Sequence, residues 1–303
     1  MAEQEALARE FEEHRSRLVG VAYRILGSVT EAEDAVQDAW LRFVGADRSA
    51  VEEPAAWLTT VTSRLCLDRL RSARARRETY VGPWLPEPWV QGLDAPPGPD
   101  VLAEHGESVR LALLVVLEEL TPEQRVAFVL HDVFAVPFTE VADALGTSVA
   151  AARQVASRAR RTVRDRRPPP AVPLARQREV VEAFTRATLA GDLDGLLRTL
   201  APGVVLRSDG GGVVSAALRP VVGPDRVARV LIGLVTRSAG SPVTVVPVLV
   251  NGELGALVDV GEGESRASAG MNVVLPRVGP DGLVHGVDMV RNPEKLTRVR
   301  VPG

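Results

Sequence analysis

Two proline-rich interruptions set what this chain can fold into. Residues 81–99, VGPWLPEPWVQGLDAPPGP, carry so many prolines and glycines that neither a helix nor a strand is expected to persist there. The run RRPPPAVP at 166–173 makes a second, stiffer break, because consecutive prolines favour extended backbone. Residues 3–79 read as almost continuous helix, and helical periodicity returns at 101–166. Residues 176–200 suit one or two helices. Beyond 204 come short Val-rich runs, VTVVPVLV (243–250), GALVDV (255–260) and MNVVL (271–275), which read as strands of a curved sheet. The expected plan is therefore multidomain: an all-α module at 1–80, a linker at 81–106, a second all-α module at 107–167, a linker at 168–175, and an α+β domain at 176–303.

Composition narrows the chemistry. The 303 residues are 46% hydrophobic, enough for more than one core. The formal net charge is −3, so nucleic-acid binding has to come from local basic faces or from a partner that does most of the holding. Cys66 is the only cysteine, which excludes an internal disulfide and argues against a Cys-rich zinc site. His14, His105, His131 and His285 are scattered without metal-ligand spacing, so no metal and no cofactor is expected. The charged, helical N-terminus does not resemble a signal peptide, and no apolar run approaches the ~20 residues of a membrane span. A cytoplasmic protein without membrane contact is the expectation.

The sharpest local signal lies at 121–166. Thr121-Pro122-Glu123-Gln124 is a helix start, with Thr as N-cap, Pro at the first helical position and Gln three residues after the cap. The helix is expected to run on through RVAFVLHDVF. In PFTEVADALG, Phe138, Val141, Ala142 and Leu145 share one stripe, and Gly146 ends it. Thr147 or Ser148 then caps a last helix reaching about Arg166, which completes a helix-turn-helix plan. On a helical wheel Val149, Ala152, Val155, Ala156, Ala159 and Val163 face inward. Gln154, Ser157, Arg158 and Arg161 cluster opposite, with Arg153 and Arg164 on the flank. Guanidinium groups on such a face suit guanine edges and phosphates in a major groove, and Gln154 could read adenine.

The N-terminal module carries two charged helices. In SVTEAEDAVQDAWLRF (28–43), Ala32, Val36, Trp40 and Phe43 form an apolar stripe beside Glu31, Glu33, Asp34 and Asp38. From periodicity alone this is an amphipathic bundle helix with a solvated acidic face. Pro54 opens AAWLTTVTSRLCLDRLRSARARR, whose Arg64, Arg69, Arg71, Arg74, Arg76 and Arg77 stand against a single Asp68. That gradient points to an acidic partner such as a DNA backbone, while Arg69 and Arg64 could equally pair with Asp68 or the acidic helix. A melted strand needs apolar surface beside positive charge. Trp57, Arg64, Arg71 and Arg74 are the candidates, although the place of Trp57 in the apolar stripe favours a core role.

The segments EAEDAVQDAWLRF, PAAWLTTVTSRLCLDRLRS, LTPEQRVAFVLHDVF and FTEVADALGTSVAAARQVASRARR together resemble an extracytoplasmic-function sigma factor of the sigma-70 superfamily, in the family's order over residues 8–166. The resemblance implies a promoter-specific initiation factor whose partners are core RNA polymerase, through the β′ clamp helices and the β subunit, and promoter DNA. It implies that the acidic helix, with Glu33, Asp34, Asp38 and Trp40, docks on the β′ clamp. It also implies that the loop at 44–53 and the helix from Pro54 handle the −10 element, while Arg153 and Arg158 contact the −35 element. The wheel places Arg158 near the centre of the exposed face and Arg153 at its edge, which favours Arg158.

The C-terminal region resembles a SnoaL-like domain of the NTF2-like superfamily, a cone of helices leaning on a curved sheet around a cavity. A SigJ-type subgroup of these sigma factors carries such an extension, together with three short elements. Their counterparts here are Trp84-Leu85-Pro86-Glu87-Pro88, Asp209-Gly210-Gly211-Gly212 and Asn292-Pro293-Glu294-Lys295-Leu296. Val213 stands where the subgroup has lysine, losing a cation, and Glu294 replaces an aspartate with its charge kept. Physically, WLPEP is a semi-rigid segment with an aromatic anchor, suited to docking in a groove between modules. Tri-glycine beside Asp209 permits a tight turn or close backbone approach. The resemblance implies an attached regulator whose cavity could hold a small-molecule ligand. Asp209, Asp259, Asp288 and His285 form no recognisable acid/base pair, so regulation is favoured over catalysis. The competing readings are a DNA-binding module fused to a SnoaL-type cyclase or isomerase, and a plain helix-turn-helix regulator.

Overall fold

The computed structural model describes residues 2–47, 51–77, 80–94, 110–166, 169–170, 172–261 and 270–300. The chain forms two compact units: residues 1–78 with 97–168, and residues 79–96 with 169–303.

In the first unit α1 (Ala2–Leu26), α2 (Val29–Val44) and α3 (Pro54–Arg77) pack on one another. Gly27, at φ +71°, lets the chain turn after α1, and Ser28 caps α2 by accepting from the Glu31 amide at 3.1 Å. The apolar stripe of α2 is buried at Val29, Ala32, Ala35, Val36, Ala39 and Phe43. Trp40 is half-buried and packs on Phe11, with ring centroids 4.9 Å apart. The Trp57 ring lies 5.8 Å from that of Phe43, so this half-buried indole is anchored on the bundle.

The rest of the unit is α4 (Leu111–Leu117), α5 (Pro122–Phe128), α6 (Phe138–Leu145) and α7 (Val149–Asp165). The start of α5 is a reciprocal capping box. The Gln124 amide donates to Thr121 Oγ1 at 3.3 Å, and the Thr121 amide donates to Gln124 Oε1 at 3.1 Å. Thr121→Ala removes one half of it and is expected to destabilise the unit by about 1 kcal/mol, read as a lower urea midpoint at unchanged slope.

The helix does not continue regularly through RVAFVLHDVF as expected. It gives way to a π-helical turn at Val129–Val133, closed by the Phe134 amide on Val129 O at 3.1 Å, with Ala135 left-handed at φ +54°. Local packing overrides propensity here: the His131 ring stacks 3.8 Å from that of Phe138, and its Nδ1 hydrogen-bonds Val136 O at 3.0 Å. Gly146 then ends α6 at φ +64°, and Ser148 rather than Thr147 caps α7, accepting from Ala151 N at 3.2 Å.

The second unit is α+β. Its helices are α8 (Leu174–Ala190), α9 (Leu193–Thr199) and α10 (Pro224–Arg237). Among the described residues its seven strands are β1 (Val90–Gly92), β2 (Leu200–Asp209), β3 (Val221–Val222), β4 (Val243–Val250), β5 (Glu253–Val260), β6 (Gly270–Val278) and β7 (Val284–Val290). They lie in the order β1-β4-β5-β6-β7-β2-β3, all antiparallel except β2 beside β7. Phe184, Val227, Leu231, Leu206, Leu254 and Val287 help form the core between helices and sheet. A two-residue loop, Asn251-Gly252, joins β4 to β5 with both residues at positive φ, the chemistry a primed hairpin turn requires.

β1 overturns the expectation that the linker at 81–99 holds no strand. Val90, Gln91 and Gly92 pair with Val250, Leu249 and Val248. Trp89-Val90-Gln91 contains no proline, so its amides are available, and the edge of β4 offers partners. The Trp89 amide also donates to Asn251 Oδ1 at 3.1 Å, and the Asn251 amide donates to Trp89 O at 2.8 Å.

Candidate functional site

Two sets of residues are candidates for the functional chemistry, one in each unit. In the first, the helix-turn-helix presents Arg153, Gln154, Ser157, Arg158 and Arg161 on the exposed side of α7, while Ala152, Ala156, Ala159 and Val163 are buried. Arg153 lies over the Phe138 ring, 5.6 Å from its centroid, at the margin of the surface. Arg160, which the wheel does not single out, pairs with Asp132 at 3.2 Å. Arg158 and Arg161 thus sit on an open helical face of guanidinium groups.

The arginines of α3 are deployed differently. Arg69 forms an ion pair with Asp38 at 2.7 Å and donates to Glu31 O at 3.0 Å, tying α3 to the acidic helix. Arg64 donates through Nε and Nη2 to Asp143 O, at 3.2 and 2.8 Å. Arg71 meets Glu123 at 3.0 Å and Asp68 at 3.8 Å. The Glu123 carboxyl is held below its usual range by its hydrogen bonds to its own backbone and to Arg71, which together outweigh its partial burial, the largest single influence. Two of the arginines expected at melted DNA therefore face oxygen atoms of α5 and α6. Glu33 is half-buried and Asp34 exposed on α2. Arg74 belongs to α3, but its side chain, like those of Arg76 and Arg77, lies outside the described residues, as do residues 48–50 of the loop assigned to the −10 element.

The sequence reading singles out neither Arg125 nor Arg24, both of which are buried. Arg125, 2% exposed, donates to Leu117 O at 2.9 Å and Ile25 O at 2.8 Å, and forms an ion pair with Glu118. Arg24 donates to Gly20 O at 3.0 Å and lies 5.0 Å from the centroid of the Phe134 ring. Burial pulls its pKa down to about 10.

In the second unit all three SigJ-type elements converge on one carboxylate. Asp209, at the end of β2, is 0% exposed. Its Oδ1 accepts from the Tyr80 hydroxyl at 2.5 Å and the Gly211 amide at 3.0 Å. Its Oδ2 accepts from the Leu85 amide and Lys295 Nζ, each at 2.7 Å. Lys295 also donates to Leu85 O at 2.5 Å and sits 4.0 Å from the centroid of the Trp84 ring. Leu85, Pro86, Glu87 and Pro88 are buried. Asn292 donates to the Tyr80 oxygen at 3.1 Å, and its own Oδ1 accepts from the Glu294 amide, shaping the short turn Pro293–Lys295. Leu296 is buried behind that turn. Burial, then the bond to Asp209, pushes the Tyr80 hydroxyl pKa well above its usual value.

The glycines have separate reasons. A Cβ on Gly210 would stand 2.3 Å from Val214 O, while Gly211 combines φ +64° with the Asn292 side-chain amide 2.4 Å from where a Cβ would lie. Val213 is 63% exposed, so the charge lost relative to lysine falls at the surface. The WLPEP segment, expected in a groove between modules, is bonded to residues of the C-terminal unit itself. Tyr80 is missed by the sequence reading, although an aromatic four residues before Trp84 is a visible signal.

The acid/base candidates do not assemble. Asp288 is buried and held by Arg277 at 2.8 Å and Arg207 at 3.4 Å. His285 pairs with the exposed Asp281 at 2.9 Å, which keeps that carboxyl below its usual range. A cavity of about 390 Å³ lies between α8, α10 and β4–β7, and none of the acid/base candidates is among the described residues that line it.

Residues 11–76 match the family model of sigma-70 region 2, and residues 110–163 that of sigma-70 region 4. The chain is 48% identical to the ECF RNA polymerase sigma factor SigJ of Mycobacterium tuberculosis, over 95% of this chain and 92% of that one. It is 39% identical to a probable ECF RNA polymerase sigma factor, SigI, of the same organism, over 75% of this chain and 76% of the relative. The crystal structure of the M. tuberculosis SigJ protein superimposes with a TM-score of 0.77 at 46% identity, covering 96% of this chain and 98% of that one.

Proposed function

The chain belongs to the extracytoplasmic-function RNA polymerase sigma factors, which are initiation factors rather than enzymes, and we propose that it recruits core polymerase to promoters in the cytoplasm under control of its own C-terminal unit. Family membership displaces both the enzyme-fusion reading and the plain-regulator reading.

In this proposal α2, through Glu33, Asp34, Asp38 and Trp40, docks on the β′ clamp, the helix-turn-helix unit engages the β subunit, and α7 reads the −35 element. Trp57, Arg64, Arg71 and Arg74 act on the −10 element once exposed. The bonds of Arg64 to Asp143 and of Arg71 to Glu123 occupy two of these cations. Exposed pairs of this kind contribute about 0–1 kcal/mol each, so polymerase and promoter can displace them without large cost. The observation that carries control in cis is the capture of the linker by Asp209, Asn292 and Lys295. The peptide leading into the helix-turn-helix is part of the sheet that would regulate it.

The test is run-off transcription with core polymerase. Arg158→Ala is expected to lower initiation at promoters with an intact −35 element by roughly tenfold, in line with about 1–3 kcal/mol for one base contact. It should leave core binding unchanged. Equal promoter preference in wild type and variant would remove Arg158 from the reading face. Deleting residues 85–88 is expected to change activity in the same assay; identical output would end the regulatory reading of the linker.

A further inference from the structure

Two neighbouring residues of the π-helical turn reach α7 at two places. Asp132 meets Arg160 at 3.2 Å. His131 reaches Arg153 at one remove. Its ring stacks 3.8 Å from that of Phe138, and the Arg153 guanidinium lies over Phe138, 5.6 Å from the ring centroid. Arg153 and Arg160 are two helical turns apart and so share one side of α7. The two holds differ in kind. A carboxylate orients Arg160 and neutralises it, whereas an aromatic face orients Arg153 and leaves the charge on an exposed side chain.

The stack depends on an irregular backbone. The π-helical turn Val129–Val133 is followed by Ala135 in the left-handed region at φ +54°. A non-glycine residue at positive φ persists only where its surroundings over-determine it, and such departures from regular helix gather at functional sites. What this one achieves is local. The chain turns back so that Val136 O accepts from His131 Nδ1 at 3.0 Å, which orients the imidazole. Phe138, the first residue of α6, lies against that imidazole. The ring that carries Arg153 is thereby held by the turn.

We propose that Phe138, held by His131, is a positioning residue that presents the Arg153 guanidinium to the −35 element. The proposal rests on the reading of α7 as the −35-binding helix. Ordering a free arginine on DNA costs rotamer freedom at the moment of binding. An arginine already resting on a ring has lost part of that freedom during folding. Its planar set of N–H donors can then meet a guanine edge or a phosphate without further ordering. Arg153, at the edge of the exposed face by periodicity alone, thus gains a defined part in reading.

A double-mutant cycle in run-off transcription tests this, using the full-length chain, core polymerase, and promoters with an intact or a scrambled −35 element. Phe138→Leu is expected to lower output at the intact promoter by roughly two- to tenfold, the factor that ordering one long side chain represents. Arg153→Ala should lower it at least as much, and both should leave the scrambled promoter unaffected. Phe138→Leu added to Arg153→Ala should bring no further loss. Phe138→Tyr, which keeps the ring, should give wild-type output. A merely structural Phe138 would lower both promoters and cost as much beside Arg153→Ala as alone; either result overturns the proposal. So does wild-type output from Phe138→Leu. Should Arg153→Ala be silent while Arg158→Ala keeps its loss, the positioning role falls and the −35 reading of α7 stands. Silence of both arginine variants would remove that reading, and the proposal with it.

Discussion

Replacing Asp209 with alanine is expected to free residues 80–92 from the C-terminal sheet and to destabilise that unit by about 3–5 kcal/mol, the range for breaking a buried ion pair from one side. Asp209 is fully buried and accepts from four donors. Its removal leaves the Lys295 ammonium, with a side chain only 12% exposed, lacking the carboxylate it meets at 2.7 Å. It also leaves the Leu85 amide and the Tyr80 hydroxyl without this acceptor. Hydrogen exchange reads the result directly: the Leu85 amide should lose most of its protection, and β1 should follow because it is a three-residue edge strand. Asp209→Asn should be milder, since one oxygen remains to accept while the charge opposite Lys295 is lost. If exchange in residues 80–92 stayed as slow in Asp209→Ala as in the wild type, the carboxylate could not be what holds the linker.

The second large effect is expected at Arg125. The carbonyls it caps, Ile25 O and Leu117 O, lie at the C-terminal ends of α1 and α4, where the i+4 donors of the helix run out and the helix dipole is negative; Leu117 O also accepts from the Leu120 amide at 3.1 Å. One guanidinium therefore serves two helix ends, one from each all-α segment of the sequence. Arg125→Ala should destabilise the first unit by about 3–5 kcal/mol, because two buried carbonyls and Glu118 lose their cation together. By contrast Arg71→Ala, at an exposed pair, should change stability by about 1 kcal/mol or less. Arg125→Lys should not restore the unit, since a single ammonium lacks the fork that spans the two carbonyls. Urea denaturation of the three variants ranks them. Equal midpoints for Arg125→Ala and Arg71→Ala would show that burial does not separate these two contacts.

These two positions also mark the limits of reading the sequence. The helix-turn-helix was legible because its signals are local: a Thr-Pro-Glu-Gln start, a stripe of period 3.6, and Gly146 as a stop. The exposed face of α7 follows from the same periodicity. The α+β character of the C-terminal part was likewise legible in its Val-rich runs. Arg125 and Arg24 were not, because a charged residue in an amphipathic stretch reads as solvated, and the carbonyls that Arg125 satisfies include one 100 positions away. The elements WLPEP, DGGG and NPEKL stood out separately. Their meeting at Asp209 depends on the parallel pairing of β2 with β7, which places Asp209 opposite Val290 and brings Asn292 alongside. Nothing local encodes that register. Strand β1 was missed for a related reason: three residues with no periodicity of their own become a strand because the edge of β4 is there to receive them.

The edge strand β1 has a consequence for how the polypeptide is wired. Because residues 90–92 complete a sheet whose other strands begin at residue 200, the helices from Leu111 to Asp165 are, in chain order, an excursion from the C-terminal fold. Cutting the chain after the helix-turn-helix would not simply subtract a tail. It would orphan Tyr80 to Gly92 as a sticky, half-apolar ribbon stripped of its sheet. Such a truncated protein is a new molecule with a new liability, and only a version that also excises the ribbon reports what the DNA-handling half does on its own.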